Sequence, residues 1–166
     1  MNNNPESPVL KNSVSRSRRW LKQGLQLKVQ IKSIELQLSF LSGRLFSAPS
    51  SVDLAQEKEQ ISPPQQEPFV SLSEKKAELE ETLQHLIDRY KALGMQMVST
   101  INSCTSGKEN MALTACFISG KKWTEIADIL NLSVKQSQRI LEFALEKIVL
   151  PEDAIWMSPG DSIHHE

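Results

Sequence analysis

The chain has 166 residues, enough for one ordinary domain or two small ones, with 39% hydrophobic, 23% charged and 5% aromatic residues. The composition allows a folded core made mainly of Leu, Ile and Val, and the net charge of −1 gives no global basic excess of the kind that announces a nucleic-acid binder. Cys104 and Cys116 are the only cysteines, and with three histidines they fit no zinc spacing.

The opening MNNNPESP is polar with no apolar stretch behind it, so no signal peptide is expected. No run approaches the roughly 18 apolar residues of a membrane span, and a reducing cytoplasm is the expected location. Charge is unevenly spread. Residues 15–46 carry seven bases (Arg16, Arg18, Arg19, Lys22, Lys28, Lys32, Arg44) and one acid, Glu35, a net +6. Residues 47–101 carry nine acids and five bases, net −4, and residues 108–150 six bases and five acids, net +1. From Pro151 onward there are four acids and no Lys or Arg. Such asymmetry points first to pairing within the molecule.

In chain order, residues 1–14 are Asn-, Pro- and Ser-rich and read as a disordered tail. A long helix is predicted over 15–46. Its apolar residues keep a seven-residue repeat: Trp20, Leu27, Ile34, Leu41 at one position and Gly24, Ile31, Leu38, Leu45 at the other, alternating four and three along one seam. Gly24 is its weak member. The stretch 47–72 holds Pro49, Pro63, Pro64 and Pro68 and reads as a flexible connection. Ser71 followed by Glu74 forms a capping box, which predicts a second helix from there to about Ile101. Leu79, Leu83, Leu86, Tyr90, Leu93 and Met97 give it a matching seam. A basic and an acidic heptad helix are expected to pair over 15–101 as a hairpin or coiled coil, within one chain or between chains, and a homo-oligomer through these helices is expected.

A small module is predicted over 102–150. After a turn at 102–107 come helices at about Glu109–Ser119 (apolar candidates Met111, Ala115, Phe117, Ile118), Thr124–Leu130, and from Ser133 to about Val149, where Pro151 stops the last. Gly120 stands where a helix end wants a left-handed residue. Thr124 is the expected cap of the second helix. Ile126, the small Ala127 and Leu130 face its neighbours, and Leu132 plugs the core. Asn131 tolerates positive φ at the turn. Ser133 caps the third helix, with Gln136 completing a capping box. Ile140, Leu141, Ala144, Leu145 and Ile148 form its buried stripe. Val134, Lys135, Gln136, Gln138 and Arg139 are left exposed at its start. Lys and Arg reach phosphates or the guanine edge, Gln pairs with adenine, and a helix N-terminus favours phosphate. The pattern is that of a helix-turn-helix.

The run Phe117 to Ile148 resembles the C-terminal part of phage transcriptional regulators of the ArpU and RinA type, and through them region 4 of bacterial sigma factors. The resemblance rests on Gly120, Trp123, the EIA of Glu125 to Ala127, Ser133, Arg139 and the closing ALEKI. This sequence departs at Asn131, where Gly is usual, at Ser137, where an apolar β-branched residue packs, and at Val134, where a base is common. The resemblance implies a long helical N-terminal half before the module and a bacterial host cell. It also implies double-stranded DNA as partner. Ser133, Lys135, Gln136, Gln138 and Arg139 are the expected contacts, with Lys121 and Lys122 on the backbone.

The net +1 of the module is low for a DNA binder, since phosphate neutralisation supplies much of the affinity. Arg16, Arg18, Arg19 and Lys22, dimerisation, or RNA polymerase as a partner are expected to make up the difference. The overall expectation is an all-α chain: a long heptad-patterned hairpin, then a three-helix helix-turn-helix module, then an acidic tail over 151–166. The expected function is sequence-specific DNA binding in transcription regulation. The alternatives are a helical adaptor for RNA polymerase or another protein (sigma-like or anti-termination) and a ring-forming DNA-packaging recognition subunit. No catalytic constellation stands out, so no enzyme, cofactor or metal is expected. His85 reads as solvated, and His164 and His165 as tail residues. Cys116 reads as a small buried thiol. Trp156 is the odd residue of the tail, placed there either to dock back on the module or to anchor a partner.

Overall fold

The computed structural model describes the backbone of residues 8–46 and 67–157, and side chains over 12–45 and 70–157. Every regular element among the described residues is helical: α1 Pro8–Phe46, α2 Glu67–Cys104, α3 Gly107–Leu113 running on into a π-helical turn Thr114–Ile118, α4 Trp123–Leu130 and α5 Val134–Lys147. No helix among the described residues is long and apolar enough to cross a membrane.

Both long helices begin earlier than their sequence suggests. Residues 8–14, expected in a disordered tail, are the first two turns of α1. Residues 67–72, expected in the connection, are the start of α2, so the capping box expected at Ser71 and Glu74 lies inside a helix. The reason is the same at both ends. Pro8 opens α1 and Pro68 is the second residue of α2. A first-turn amide has no partner within the helix, so the missing N–H of proline costs nothing there and its φ already suits the helix. The remaining residues of the expected tail and connection, 1–7 and 47–66, lie outside the described residues, as do His164 and His165. α2 continues to Cys104, which shortens the expected turn at 102–107 to Thr105 and Ser106.

The chain divides into two compact units. One comprises residues up to Lys28 together with those from Arg89; the other is Val29–Asp88. The first unit is thus larger than the expected 102–150 module. It takes in the beginning of α1 and the end of α2, and its core is built from Trp20, Leu21, Leu27, Leu93, Met97, Ile101, Leu113, Ile126, Leu141 and Leu145, each almost fully buried. Gly24 is explained by its neighbour. A Cβ at this position would sit 3.2 Å from both Sδ and Cε of Met97, so the small residue lets α1 and α2 approach closely.

The second unit is the rest of the same helix pair. There Leu36, Phe40 and Leu41 of α1 and Lys75, Glu78 and Leu79 of α2 line an open groove. In both units every described seam residue is buried or half-buried, as the heptad pattern predicts. His85 is exposed, also as expected.

Candidate nucleic-acid interface

The turn between α4 and α5 is built by three consecutive residues. Asn131 takes the left-handed conformation, φ 53° and ψ 53°. Its N–H donates to the Asp128 carbonyl at 3.1 Å, and the Leu132 N–H donates to the Ala127 carbonyl at 3.0 Å. This pair of bonds is a Schellman ending, which satisfies the last carbonyls of α4 and reverses the chain. Ser133 then caps α5. The Gln136 N–H donates to Ser133 Oγ at 3.2 Å, and the Ser133 N–H donates to Gln136 Oε1 at 3.1 Å. The capping box expected from the sequence is therefore formed at both ends.

Ser137 stands at a core position and is fully buried. Its hydroxyl donates to the Ser133 carbonyl at 3.0 Å, so the buried oxygen is not left without a partner. Ile126, Ala127, Leu130, Leu141, Ala144, Leu145 and Ile148 are buried, and Leu132 and Ile140 half-buried, as the apolar stripes require. Met111, expected as a core candidate of α3, is exposed.

The entry to α4 differs from expectation. Thr124 does not cap the helix. Lys122 occupies the cap position, Trp123 begins the helix, and Thr124 is exposed in its first turn. Glu125 supplies the local acceptor instead: its carboxylate takes the Lys122 N–H at 2.8 Å and the Lys121 ammonium at 3.3 Å. The bond from the Lys122 backbone, followed by that from Lys121, holds the Glu125 carboxyl below its ordinary range. Before it, the π-helical turn ends with the Ser119 N–H on the Thr114 carbonyl at 3.0 Å. Gly120 follows with φ +66°, the left-handed residue that its position demands. A side chain there would also meet Leu25, whose Cδ2 lies 3.2 Å from the ideal Cβ position.

The face left over is polar. Lys135, Gln136, Gln138 and Arg139 are exposed, with Val134 at the edge. Among the described residues Lys135, Gln138 and Arg139 have no hydrogen-bond or ion-pair partner. Gln136 is different, because its Oε1 is held by the capping box. A bidentate contact to adenine through this side chain requires that box to open. Lys121 and Lys122 lie at the start of α4, both exposed, with the charge of Lys121 partly answered by Glu125.

The beginning of α1 packs beside this module in the same unit. Arg18 forms an ion pair with Glu142 on the outer side of α5, and Ser17 Oγ donates to the Ile148 carbonyl at 3.4 Å. Arg16 and Arg19 stack on the Trp156 ring, with guanidinium carbons 5.7 and 5.5 Å from its centroid. Trp156 thus docks the tail back within its own unit.

The tail backbone is gripped by side chains of both long helices. Trp20 Nε1 donates to the Ile155 carbonyl at 3.0 Å, Gln96 accepts from the Ile155 N–H at 2.9 Å and donates to the Asp153 carbonyl at 3.1 Å. Arg89 donates to the Trp156 carbonyl at 2.6 Å, and Gln23 accepts from the Met157 N–H. Sequence reading missed Gln23 and Gln96, and Arg18, expected to add positive charge for DNA, is instead paired with Glu142. The available signal was an uncharged amide directly before a seam residue, at Gln23 before Gly24 and at Gln96 before Met97.

No cluster of three or more His, Cys, Asp or Glu residues suited to a metal occurs among the described residues. Cys116 is half-buried, and burial raises its thiol pKa against the opposing charges of Arg18 and Lys22. A thiol kept protonated in this way is a packing residue. No family model, no curated protein and no solved structure matches the chain.

Proposed function

We propose that the chain is a sequence-specific DNA-binding transcription regulator of phage type, with α5 as the helix that enters the major groove. The observation that carries this reading is the exposed group of Lys135, Gln138 and Arg139 on the first turns of α5, whose N-terminus is closed by a capping box and joined to α4 by a three-residue turn with Asn131 left-handed. Lys135 and Arg139 lie four apart and share one helix face, with Gln138 beside them. In this reading Arg139 and Gln138 read base edges, Lys135 and the α5 N-terminus take phosphate, and Lys121 and Lys122 contact the backbone. Ser133 positions the helix through its cap. Gln136 serves mainly the capping box. Binding as a homo-oligomer in the cytoplasm of a bacterial host belongs to the same proposal.

Arg18 gains a role in this reading. It neutralises Glu142, an acid on the outer side of the recognition helix that would otherwise repel phosphate. Selection of bound sequences from a random DNA pool tests the function as a whole, and recovery of a palindromic motif is the expected result. In a mobility-shift titration on that motif, Arg139→Ala is expected to weaken binding by about 1–3 kcal/mol and to relax preference at one base pair. An unenriched pool, or unchanged affinity, contradicts the assignment.

A second reading is a helical adaptor that binds RNA polymerase or another protein. The specific observation behind it is Phe143. It lies one turn beyond Arg139 on the outer side of α5, is 55% exposed, and is flanked by the acids Glu142 and Glu146. An exposed aromatic of this kind is a common anchor in protein interfaces. Phe143→Ala abolishing co-purification with RNA polymerase, with DNA affinity absent from the wild type, is the result that favours this reading.

A further inference from the structure

Arg16 and Arg19 stand three apart on α1, share one helix face and are both exposed. Like charges so placed repel, and a carboxylate is the usual way to settle them. None is supplied here. The tail carries Glu152 and Asp153 four and three residues before Trp156, yet neither arginine has an ion-pair or hydrogen-bond partner among the described residues. What the tail brings instead is the Trp156 indole, with the two guanidinium carbons 5.7 and 5.5 Å from its centroid. A ring face attracts a guanidinium through its π-cloud and leaves the planar N–H edge unused.

The ring is held in place from both sides. The Trp156 carbonyl accepts from Arg89 at 2.6 Å. Before it, the Ile155 carbonyl accepts from Trp20 Nε1 at 3.0 Å and the Ile155 N–H donates to Gln96 Oε1 at 2.9 Å. After it, the Met157 N–H donates to Gln23 Oε1. These bonds all grip backbone, and together they set the ring against Arg16 and Arg19. Two guanidiniums are thereby held close together with their N–H edges free and both charges unanswered. Such a fork matches phosphate oxygens, which accept from a guanidinium edge in bidentate fashion, and holding it in advance lowers the ordering cost of binding.

We propose that Arg16 and Arg19, positioned by Trp156, form a clamp for one phosphate group. Arg44 gives the contrast. Its guanidinium carbon lies 5.2 Å from the Phe40 centroid, but no second arginine stands within a turn of it on α1, so it is a single cation on a ring. The source that suits the reading of α5 is the DNA backbone. Arg18, in the same turn of α1, pairs with Glu142, one turn along α5 from Arg139, so the start of α1 lies beside the recognition helix. Only this choice of source rests on DNA binding, and the clamp itself is tested without DNA.

Inorganic phosphate is titrated into the full-length chain while the arginine Nε–H signals are followed by NMR. The Arg16 and Arg19 signals are expected to shift together and saturably, and well beyond that of Arg44. Trp156→Ala removes no charge, yet is expected to weaken phosphate binding by about threefold with the helical circular dichroism unchanged, and Trp156→Phe is expected to restore it in part. In an Arg16→Gln/Arg19→Gln background, which alters exposed side chains only, Trp156→Ala is expected to have no further effect. Duplex DNA then separates the sources. Trp156→Ala is expected to make the slope of log K against log salt shallower by about 1 if the backbone supplies the phosphate, and to leave it unchanged if free phosphate is the ligand. A phosphate response in a chain with no DNA affinity contradicts the reading of α5 and keeps the clamp. Arg16 and Arg19 signals that move no further than that of Arg44, a Trp156→Phe that restores nothing, or a Trp156→Ala loss that persists without the two arginines would each overturn the proposal.

Discussion

The same two helices meet different fates in the two units. Between residues up to Lys28 and residues from Arg89, the seam is closed: Trp20, Leu27, Leu93, Met97 and Ile101 are almost fully buried. Among the described residues between Val29 and Asp88 only Ile34 and Leu86 reach that state. The heptad pattern is equally regular in both, so the pattern does not decide burial. What decides it is what else packs there. In the first unit α3, α4, α5 and the tail through Met157 complete the enclosure, whereas the described residues of the second belong to the two helices alone. A seam residue in the first unit therefore carries full transfer and cavity costs, and one in the second carries a fraction of them.

The comparison breaks if the two halves of the seam turn out energetically alike. Trp20→Ala removes a fully buried ring and its bond to the Ile155 carbonyl, and is expected to cost about 3–5 kcal/mol in urea unfolding. Leu38→Ala, from the half-buried seam of the second unit, is expected to cost about 1–2 kcal/mol. Equal losses contradict the account. At the helix-turn-helix, Ser133→Ala removes the acceptor for the Gln136 N–H and is expected to cost about 1 kcal/mol, with Ser133→Gly milder.

The smallest expected effect is at Gly24. Alanine there gains about 0.5–1 kcal/mol of helix propensity but presses on the flexible end of Met97 at 3.2 Å. The two terms nearly cancel, and a change within about 1 kcal/mol is expected. A loss as large as that of Trp20→Ala places a more rigid contact at this crossing than the Met97 thioether provides.

Much of this was legible from residue order. The seams, the left-handed Asn131 and Gly120, and the Ser133–Gln136 box follow from local rules, because each depends on residues within a turn of one another. What was not legible depends on distance or on an ambiguous residue. Pro68 reads as a breaker and Pro8 as part of a polar tail, yet proline is equally at home in a first turn, and only the full helix reveals which role applies. The pairing of Arg18 with Glu142 and the gripping of the tail by Gln23, Gln96, Arg89 and Trp20 join residues far apart in the chain, and no spacing encodes them. At the candidate interface, the exposed residues were read from periodicity. The commitment of Gln136 Oε1 to the cap, and that of Glu125 to the α4 entry in place of Thr124, required geometry.

Glu125 also gives a pH signature. Its carboxyl titrates below the ordinary glutamate range, so the help it gives the start of α4 is present above that range and fades as pH falls through the depressed value. Titration of the Glu125 carboxyl by NMR is expected to show the downward displacement, and Lys121→Ala is expected to reduce it only in part, since the larger contribution comes from the Lys122 backbone.

The central claim, that Lys135, Gln138 and Arg139 on α5 contact DNA, is tested most directly by the salt dependence of DNA affinity. For the wild-type chain on a selected site, log K is expected to fall linearly with log salt, with a slope of about −0.9 per phosphate contacted. Lys135→Ala is expected to make that slope shallower by about 1 while leaving sequence preference intact. No affinity at low salt, or a slope that Lys135→Ala leaves unchanged, would contradict it.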